Sequence, residues 1–367
     1  MEYWRQTPLA KEARGARAGL GHGTGKLALL SLILAVALGG CSGLEKIDRP
    51  PLGFTEAKAP ESEDAFPHWP LPPPKLESFL AAEMDGGNFK LMESKKTEYG
   101  GSGPSRISLY FPSVDREIRF KWKVVPRNKL ETVNNSPRKE IAAYQIQKLF
   151  LEPEDYVVPT TICLCVPLES YRMEQGDAKP SLPGANCVLG TLAVWLDDVT
   201  LSKDLYQAER FTKDPGYAYY MANFNLLTYL IDHKDSRESN FLVSKESGRR
   251  QVFSVDNGIA FQPFLYKFFA DNWDVIRVAG LRRDHVERLR ALTREDLDVL
   301  GVVGHFEKDE RGVFVAGKAK RNLSPNKGIR IGGDKVQIGL ARFEIDGVWD
   351  RMQALLQQVD SGEIPVF

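Results

Sequence analysis

The chain has little of what several specialised classes of protein depend on. Its 367 residues include four cysteines and five histidines, and it carries no surplus charge, 49 Lys and Arg facing 49 Asp and Glu. That balance leaves no electrostatic footprint for a nucleic-acid partner. Apart from Cys41, only Cys163, Cys165 and Cys187 are present, too few for a disulfide framework and at no spacing that makes a zinc site. One bridge remains open, Cys187 with Cys163 or Cys165, if their strands are neighbours; buried reduced thiols fit the same spacing. The longest apolar run, residues 27–38 (LALLSLILAVAL), is too short for an ordinary bilayer span of ~20 residues. No internal repeat is visible.

What precedes and follows that run gives it a purpose. Arg5, Lys11, Arg14, Arg17 and Lys26 outnumber Glu2 and Glu12 before it, and Leu38-Gly39-Gly40-Cys41 closes it. A basic start, a short apolar stretch and small residues are the parts of a signal peptide, here residues 1–40. The closing tetrapeptide resembles the bacterial lipobox, which implies cleavage before Cys41 and a diacylglyceryl group on its sulfur. The expectation is a lipid-anchored protein of the bacterial cell envelope, held to a membrane through Cys41. Ser42 after the cysteine resembles the outer-membrane sorting pattern. Residues 41–75 then collect Pro50, Pro51, Pro60, Pro67, Pro70 and Pro72–Pro74, which break helix and sheet, and are read as a tether. Part of it, PHWPLPPP, is expected to lie in polyproline form against the domain.

The folded part is expected to open near Asn88. Residues 89–93, 107–111 and 118–125 alternate as strands, with a glycine-rich turn at 98–106 and a polar turn at 112–116. Gly101 and Gly103 would let backbone amides approach a phosphate with no Cβ in the way. Lys121 and Lys123 leave the same face of the third strand, where a lysine can reach phosphates as a point charge. Ser136-Pro137 suits a helix start, and Glu140 in the first turns suits either the helix dipole or an ion pair with a strand lysine. Residues 156–166 and 185–196 read as two more strands separated by a polar connection. Asp197-Asp198 is read as a hinge, and helices are expected over 201–211 and 217–231.

Two polar segments follow. HKDSRESN (233–240) carries Asp235 five residues before Asn240, and VFSVDNG places Asp256 at the end of a short strand. Asp235 could take the proton of an attacking hydroxyl while Asn240 and Asp256 hold the metal ions that neutralise phosphates. Asp232 is the rival acceptor, but the residue five beyond it is Arg237, a poor metal ligand. His233 is read as a support of the loop, and His285 and His305 as structural.

Glycine turn, strand lysine, helix glutamate, hinge, H-x-D-x-x-x-x-N and D-x-G occur in the order of a protein-kinase-like fold. SLYFPSVDREIRFKWK, KEIAAYQIQKLF followed by VVPTT, and VDNGIAF resemble the atypical secretory-pathway kinases of the Four-jointed type and their bacterial relatives. The resemblance covers residues 88–262. It implies an α+β, two-lobed fold: a small antiparallel β lobe with one main helix (76–196), then a larger, mostly helical lobe (197–367). Through the F-K motif it assigns the nucleotide lysine to Lys121, oriented by Glu140. It gives Asp256 and Asn240 the metal and Asp235 the acceptor proton. The implied cofactor is ATP or another nucleotide with Mg²⁺ or Mn²⁺, and the acceptor is a hydroxyl of a protein or carbohydrate. The departures are a missing third glycine, with Arg106 near its place, and Asn240 where some of these kinases carry another residue. They leave a second expectation, a catalytically inactive kinase-fold scaffold or binding protein. Beyond the resemblance, residues 265–279 and 283–292 read as helices and 293–296 as a helix start. Residues 317–330 read as a basic segment, in the first place a solvated loop and in the second a surface for an acidic substrate or lipid head groups, and 346–359 as a helix packed on the core.

Overall fold

Alternation along two neighbouring segments builds the first layer. In a computed structural model, β2 (Ser105–Phe111) and β3 (Arg116–Val124) pair antiparallel. Leu109, Phe111, Ile118, Phe120 and Trp122 are buried, while Arg119 and Lys121 lie on the opposite face. With β1 (Lys90–Lys96), β4 (Thr161–Pro167) and β5 (Cys187–Val194) they form a five-stranded antiparallel sheet in the order β1-β2-β3-β5-β4. The described residues are 66–96, 105–125, 136–182, 184–201, 205–235, 238–245, 251–261, 273–310 and 312–367. The signal peptide, Cys41, most of the tether and the turn with Gly101 and Gly103 lie outside them.

The folded part begins earlier than expected. Pro73 and Pro74 start a helix, α1 (Pro73–Gly86), which buries Leu76, Leu80 and Met84 and ends on Gly87 at φ 65°. Just before it, the Trp69 indole packs edge-on to Phe253 at 5.3 Å, and Asp197 N–H donates to the His68 carbonyl at 3.1 Å. The proline-rich stretch from Phe66 therefore belongs to the core.

After β3 comes α2 (Pro137–Gln147), buried on nearly every side. Ser136 occupies its N-cap position, but the expected side-chain cap is not made; its N–H instead donates to Gly258 O at 3.1 Å. Residues 156–160 are not strand, so β4 is shorter than read. The polar connection after β4 contains α3 (Leu168–Gln175), which was not expected. Cys165 on β4 is bonded to Cys187 on β5, with Cα atoms 5.6 Å apart, which settles the pairing left open; Cys163 is free.

Past residue 196 the helix expected over 201–211 gives way to β6 (Val199–Leu201) and a short α4 (Ala208–Lys213). The long central helix is as read: α5 (Pro215–Leu230) is almost wholly buried, and the Asp214 carboxylate accepts from Tyr217 N–H at 3.1 Å to cap it. β7 (Phe241–Ser244) and β8 (Val252–Ser254) complete a three-stranded sheet with β6. Then follow α6 (Arg283–Ala291) and α7 (Arg342–Asp360).

The second half is not mostly helical. Between α6 and α7 run β9 (Gly304–Lys308), β10 (Phe314–Ala316), β11 (Ile329–Gly332) and β12 (Lys335–Ile338), a sheet ordered β10-β9-β12-β11. Its inner residues Phe306, Phe314, Val336 and Ile338 pack on Ile141 of α2 and Leu189 of β5. Of the helix read over 265–279, residues 265–272 lie outside the described residues and 273–279 form turns and bends with no helix. One apolar cluster joins Phe111 and Phe120 of the first sheet to Phe224 of α5 and Phe253 of β8. No helix among the described residues is long and apolar enough to cross a membrane.

Candidate active site

The site grows from the polar face of β3. Lys121 and Lys123 are two residues apart, so their side chains leave the same face. β5 runs close behind them. A Cβ at Gly190 would lie 2.6 Å from the Lys123 carbonyl oxygen and 2.6 Å from the Trp122 indole, so this position requires glycine.

Three elements converge on Lys123. Its ammonium, 5 % exposed, lies 2.6 Å from Glu140 Oε1 of α2 and 2.5 Å from Asp256 Oδ1 after β8. The second oxygen of Glu140 accepts from Asn257 N–H at 2.8 Å, so this one carboxylate ties the helix to both the strand lysine and the Asp-Asn-Gly turn. Asn257 is fully buried and accepts from the Ser254 hydroxyl at 2.7 Å, which fixes the turn from inside. Asp256 itself sits at φ 65°, in the left-handed region. Lys121 Nζ stands 3.4 Å from its other oxygen. Burial would raise the Asp256 pKa, but the ammoniums of Lys123 and Lys121 outweigh it and hold the carboxyl well below the usual range. Burial likewise works against the Lys123 charge, and the two carboxylates more than restore it.

The expected partnership of Lys121 with Glu140 is therefore corrected: Lys123 makes it. Both lysines share one face, and Lys123 is the one beneath α2. Lys121 reaches only the outer oxygen of Asp256.

The HKDSRESN loop arrives from α5. Asn240 ends a 3-10 turn (Glu238–Asn240) and donates from Nδ2 to the Asp235 carbonyl at 3.0 Å, while Val255 N–H donates to the Asn240 carbonyl at 2.8 Å. Loop and Asp-Asn-Gly turn are thus one hydrogen-bonded unit, and both Asn240 and Asp256 face the cleft. Asp235 is half-buried, and its side chain is not among those lining the cleft. Asp232, its rival, is occupied elsewhere: Lys234 Nζ lies 2.6 Å from its Oδ1 and also 3.0 Å from Asp274. His233 supports the loop from within. Its ring packs 5.3 Å from Phe241, neither ring nitrogen has a hydrogen-bond partner among the described residues, and burial lowers its pKa to about 4.

The cleft has a volume of about 700 Å³ and runs between the polar face of the first sheet and the 194–201 segment, including Asp197 and Asp198. Sequence reading missed part of its wall. Lys95, Arg106 and Lys121 stand in register across β1, β2 and β3, and all three face the cleft. Arg106 lies 5.9 Å from the centre of the Trp195 ring. The alternation of Arg106, Ser108 and Tyr110 was visible in the sequence, but pairing it with β1 needed the register.

No group of three or more His, Cys, Asp or Glu side chains able to hold a metal alone exists among the described residues. Asp256 and Asn240 make a two-donor set, and the Asn240 amide oxygen makes no hydrogen bond among the described residues. One carboxylate and one amide suit Mg²⁺ or Mn²⁺ that arrives with substrate phosphates, since such ions keep few protein ligands. The donor set fits that role and not a resident, protein-caged ion.

No protein-family model and no curated protein matches this chain. Among solved structures, one described as the crystal structure of the Golgi casein kinase aligns with a TM-score of 0.45 and 10% identity, covering 78% of this chain and 74% of that one.

Proposed function

We propose that this chain is a lipid-anchored, metal-dependent phosphotransferase of protein-kinase-like architecture. It would move a phosphoryl group from ATP or another nucleotide to a hydroxyl of a protein or carbohydrate. The observation that carries this reading is the Lys123 ammonium held between Glu140 and Asp256 at one end of a cation-lined cleft. Lys123 takes the role that the sequence resemblance gave to Lys121: it meets the nucleotide phosphates, and Glu140 orients it. Lys121 adds a second positive charge beside Asp256. Asp256 and Asn240 would hold Mg²⁺ or Mn²⁺, which supplies charge neutralisation when bound. Asp235 would orient and deprotonate the acceptor hydroxyl. In phosphoryl transfer the protein mostly positions groups and stabilises charge, and a rigid triad of two carboxylates and an ammonium suits that work. The anchor through Cys41 would place this chemistry at the cell envelope.

One observation favours a second reading, a kinase-fold binding protein without turnover: the Asp235 side chain does not line the cleft. Incubation with γ-labelled ATP, Mn²⁺ and an envelope extract separates the two. The phosphotransferase reading expects label in wild-type reactions and at least a hundredfold less with Asp256→Ala or Asp235→Ala. Nucleotide binding without any transfer would select the second reading, and equal labelling by both variants would sink the residue assignment.

A further inference from the structure

The charge balance of the whole chain is broken in a segment that does not line the cleft. Residues 312–333 contain no Asp or Glu but five cations, Lys318, Lys320, Arg321, Lys327 and Arg330. Arg330 is 2 % exposed and turns inward, donating to the Ser324 carbonyl at 2.7 Å and the Leu340 carbonyl at 2.8 Å. It holds the preceding loop down on the body of the protein. The other four are exposed, and none makes an ion pair with an acid among the described residues.

The loop is pinned at several points, so the backbone that carries its cations is held against the body of the protein. Gln337 on β12 donates to the Arg321 carbonyl at 2.8 Å and accepts from Leu323 N–H at 2.9 Å. Leu323 packs against Gly332, where a Cβ would lie 3.3 Å from its Cδ1. Arg342 N–H donates to the Pro325 carbonyl at 2.7 Å, which brings the first turn of α7 to the loop edge. Arg342 is exposed there, and beside it the Phe343 ring is 51 % exposed; Ile331 at the end of β11 is 50 % exposed. Unpaired cations interleaved with an exposed aromatic and an exposed aliphatic side chain have the composition of an interfacial surface. None of these residues lines the cleft.

We propose that this face docks on an anionic phospholipid membrane, with Lys318, Lys320, Arg321, Lys327 and Arg342 meeting lipid phosphates and Phe343 and Ile331 entering the headgroup layer. An acidic protein would be drawn by the same cations but would not call for two exposed apolar side chains among them. The tether adds to this: the residues from Cys41 to Phe66 extend at most ~90 Å, so a lipid on Cys41 would keep the folded part near a bilayer. Each cation near an anionic surface strengthens binding about fivefold. This face is independent of the phosphotransfer reading, and its test uses no nucleotide.

The test is vesicle co-sedimentation of residues 41–367 carrying Cys41→Ser, the chain left once the signal peptide is removed, so that neither the apolar run nor a lipid contributes. Vesicles of phosphatidylcholine alone are compared with vesicles containing phosphatidylglycerol. The proposal expects binding to rise with phosphatidylglycerol and to fall at least about a hundredfold when Lys318, Lys320, Arg321 and Lys327 are changed to Glu. Phe343→Ser is expected to weaken it severalfold at unchanged charge. Changing exposed Lys75, Lys90, Lys179 and Lys213 to Glu makes the same change in net charge elsewhere and is the control, and retained melting temperature shows that the variants fold. Binding that ignores phosphatidylglycerol, or that falls equally in the control, overturns the proposal. Loop-dependent capture by poly-glutamate with no vesicle binding also overturns it and assigns the face to an acidic macromolecule.

Discussion

His233 shows how a side chain can serve a site without reacting in it. Buried against Phe241 with neither ring nitrogen bonded, it has a folded-state pKa of about 4 against the usual 6.5. As pH falls from 6.5 towards 4, the unfolded chain takes up this proton and the folded chain does not. Stability contributed by the neutral ring is therefore lost across that window, by up to roughly 3 kcal/mol. His233→Leu should flatten the melting temperature between pH 6.5 and 4 relative to wild type; parallel curves would mean the ring does not titrate as described. The two strand lysines differ in the same residue-level way. Lys123 is 5 % exposed and compensates two carboxylates, so Lys123→Met should cost about 3–5 kcal/mol in a denaturant titration. Lys121, at 21 % exposed and 3.4 Å from Asp256, should cost about 1 kcal/mol or less on the same change. Reversal of that order would contradict the corrected pairing.

At the scale of elements, α2 is held at both ends of its first turn. Glu140 faces the cleft, while Arg138 on the other side donates to Glu344 of α7 at 2.6 and 3.0 Å. Lys139 Nζ is 3.6 Å from the same carboxylate, and all three side chains are buried. Glu344→Ala would leave two buried cations without it, at a cost of about 3–5 kcal/mol. If α7 positions α2, the variant should also raise the KM for nucleotide; a loss of stability with KM unchanged would limit the role to packing. The Cys165–Cys187 bridge closes a loop with a sequence separation of 22, for which chain entropy gives about 3 kcal/mol. Reduction should lower the melting temperature by several degrees, and Cys165→Ser should remove that response while Cys163→Ser should not.

The same elements show what could be read in the sequence. Strand alternation in β2 and β3, the long apolar α5 and the Asp256-Asn257-Gly258 turn were legible because each carries a local signal. Leu76, Leu80 and Met84 held the helical spacing of α1, but the prolines before them read as tether when they were starting the helix. β9 to β12 were hidden for another reason: each is three to five residues long, at or below the short end of the length over which a period-2 pattern shows. The choice between Lys121 and Lys123 depended on where α2 lies over the strand, which no single segment records.

For the whole molecule, the apolar cluster that joins the first sheet to α5 and β8 makes the cleft wall and the side carrying the HKDSRESN loop parts of one packed body. A ligand that bridges Lys123 and Asp256 should therefore stabilise the entire fold rather than one segment, by RT ln(1 + [L]/Kd). The most direct measurement is the melting temperature of the purified protein with ATP and Mn²⁺ together, against each alone. Wild type should shift upward by several degrees only when both are present, and Lys123→Met and Asp256→Ala should lose that shift after each variant's own baseline is subtracted. An unchanged melting temperature in wild type at millimolar ATP and Mn²⁺, or an equal shift in Asp256→Ala, would rule out a metal–nucleotide site at Lys123 and Asp256.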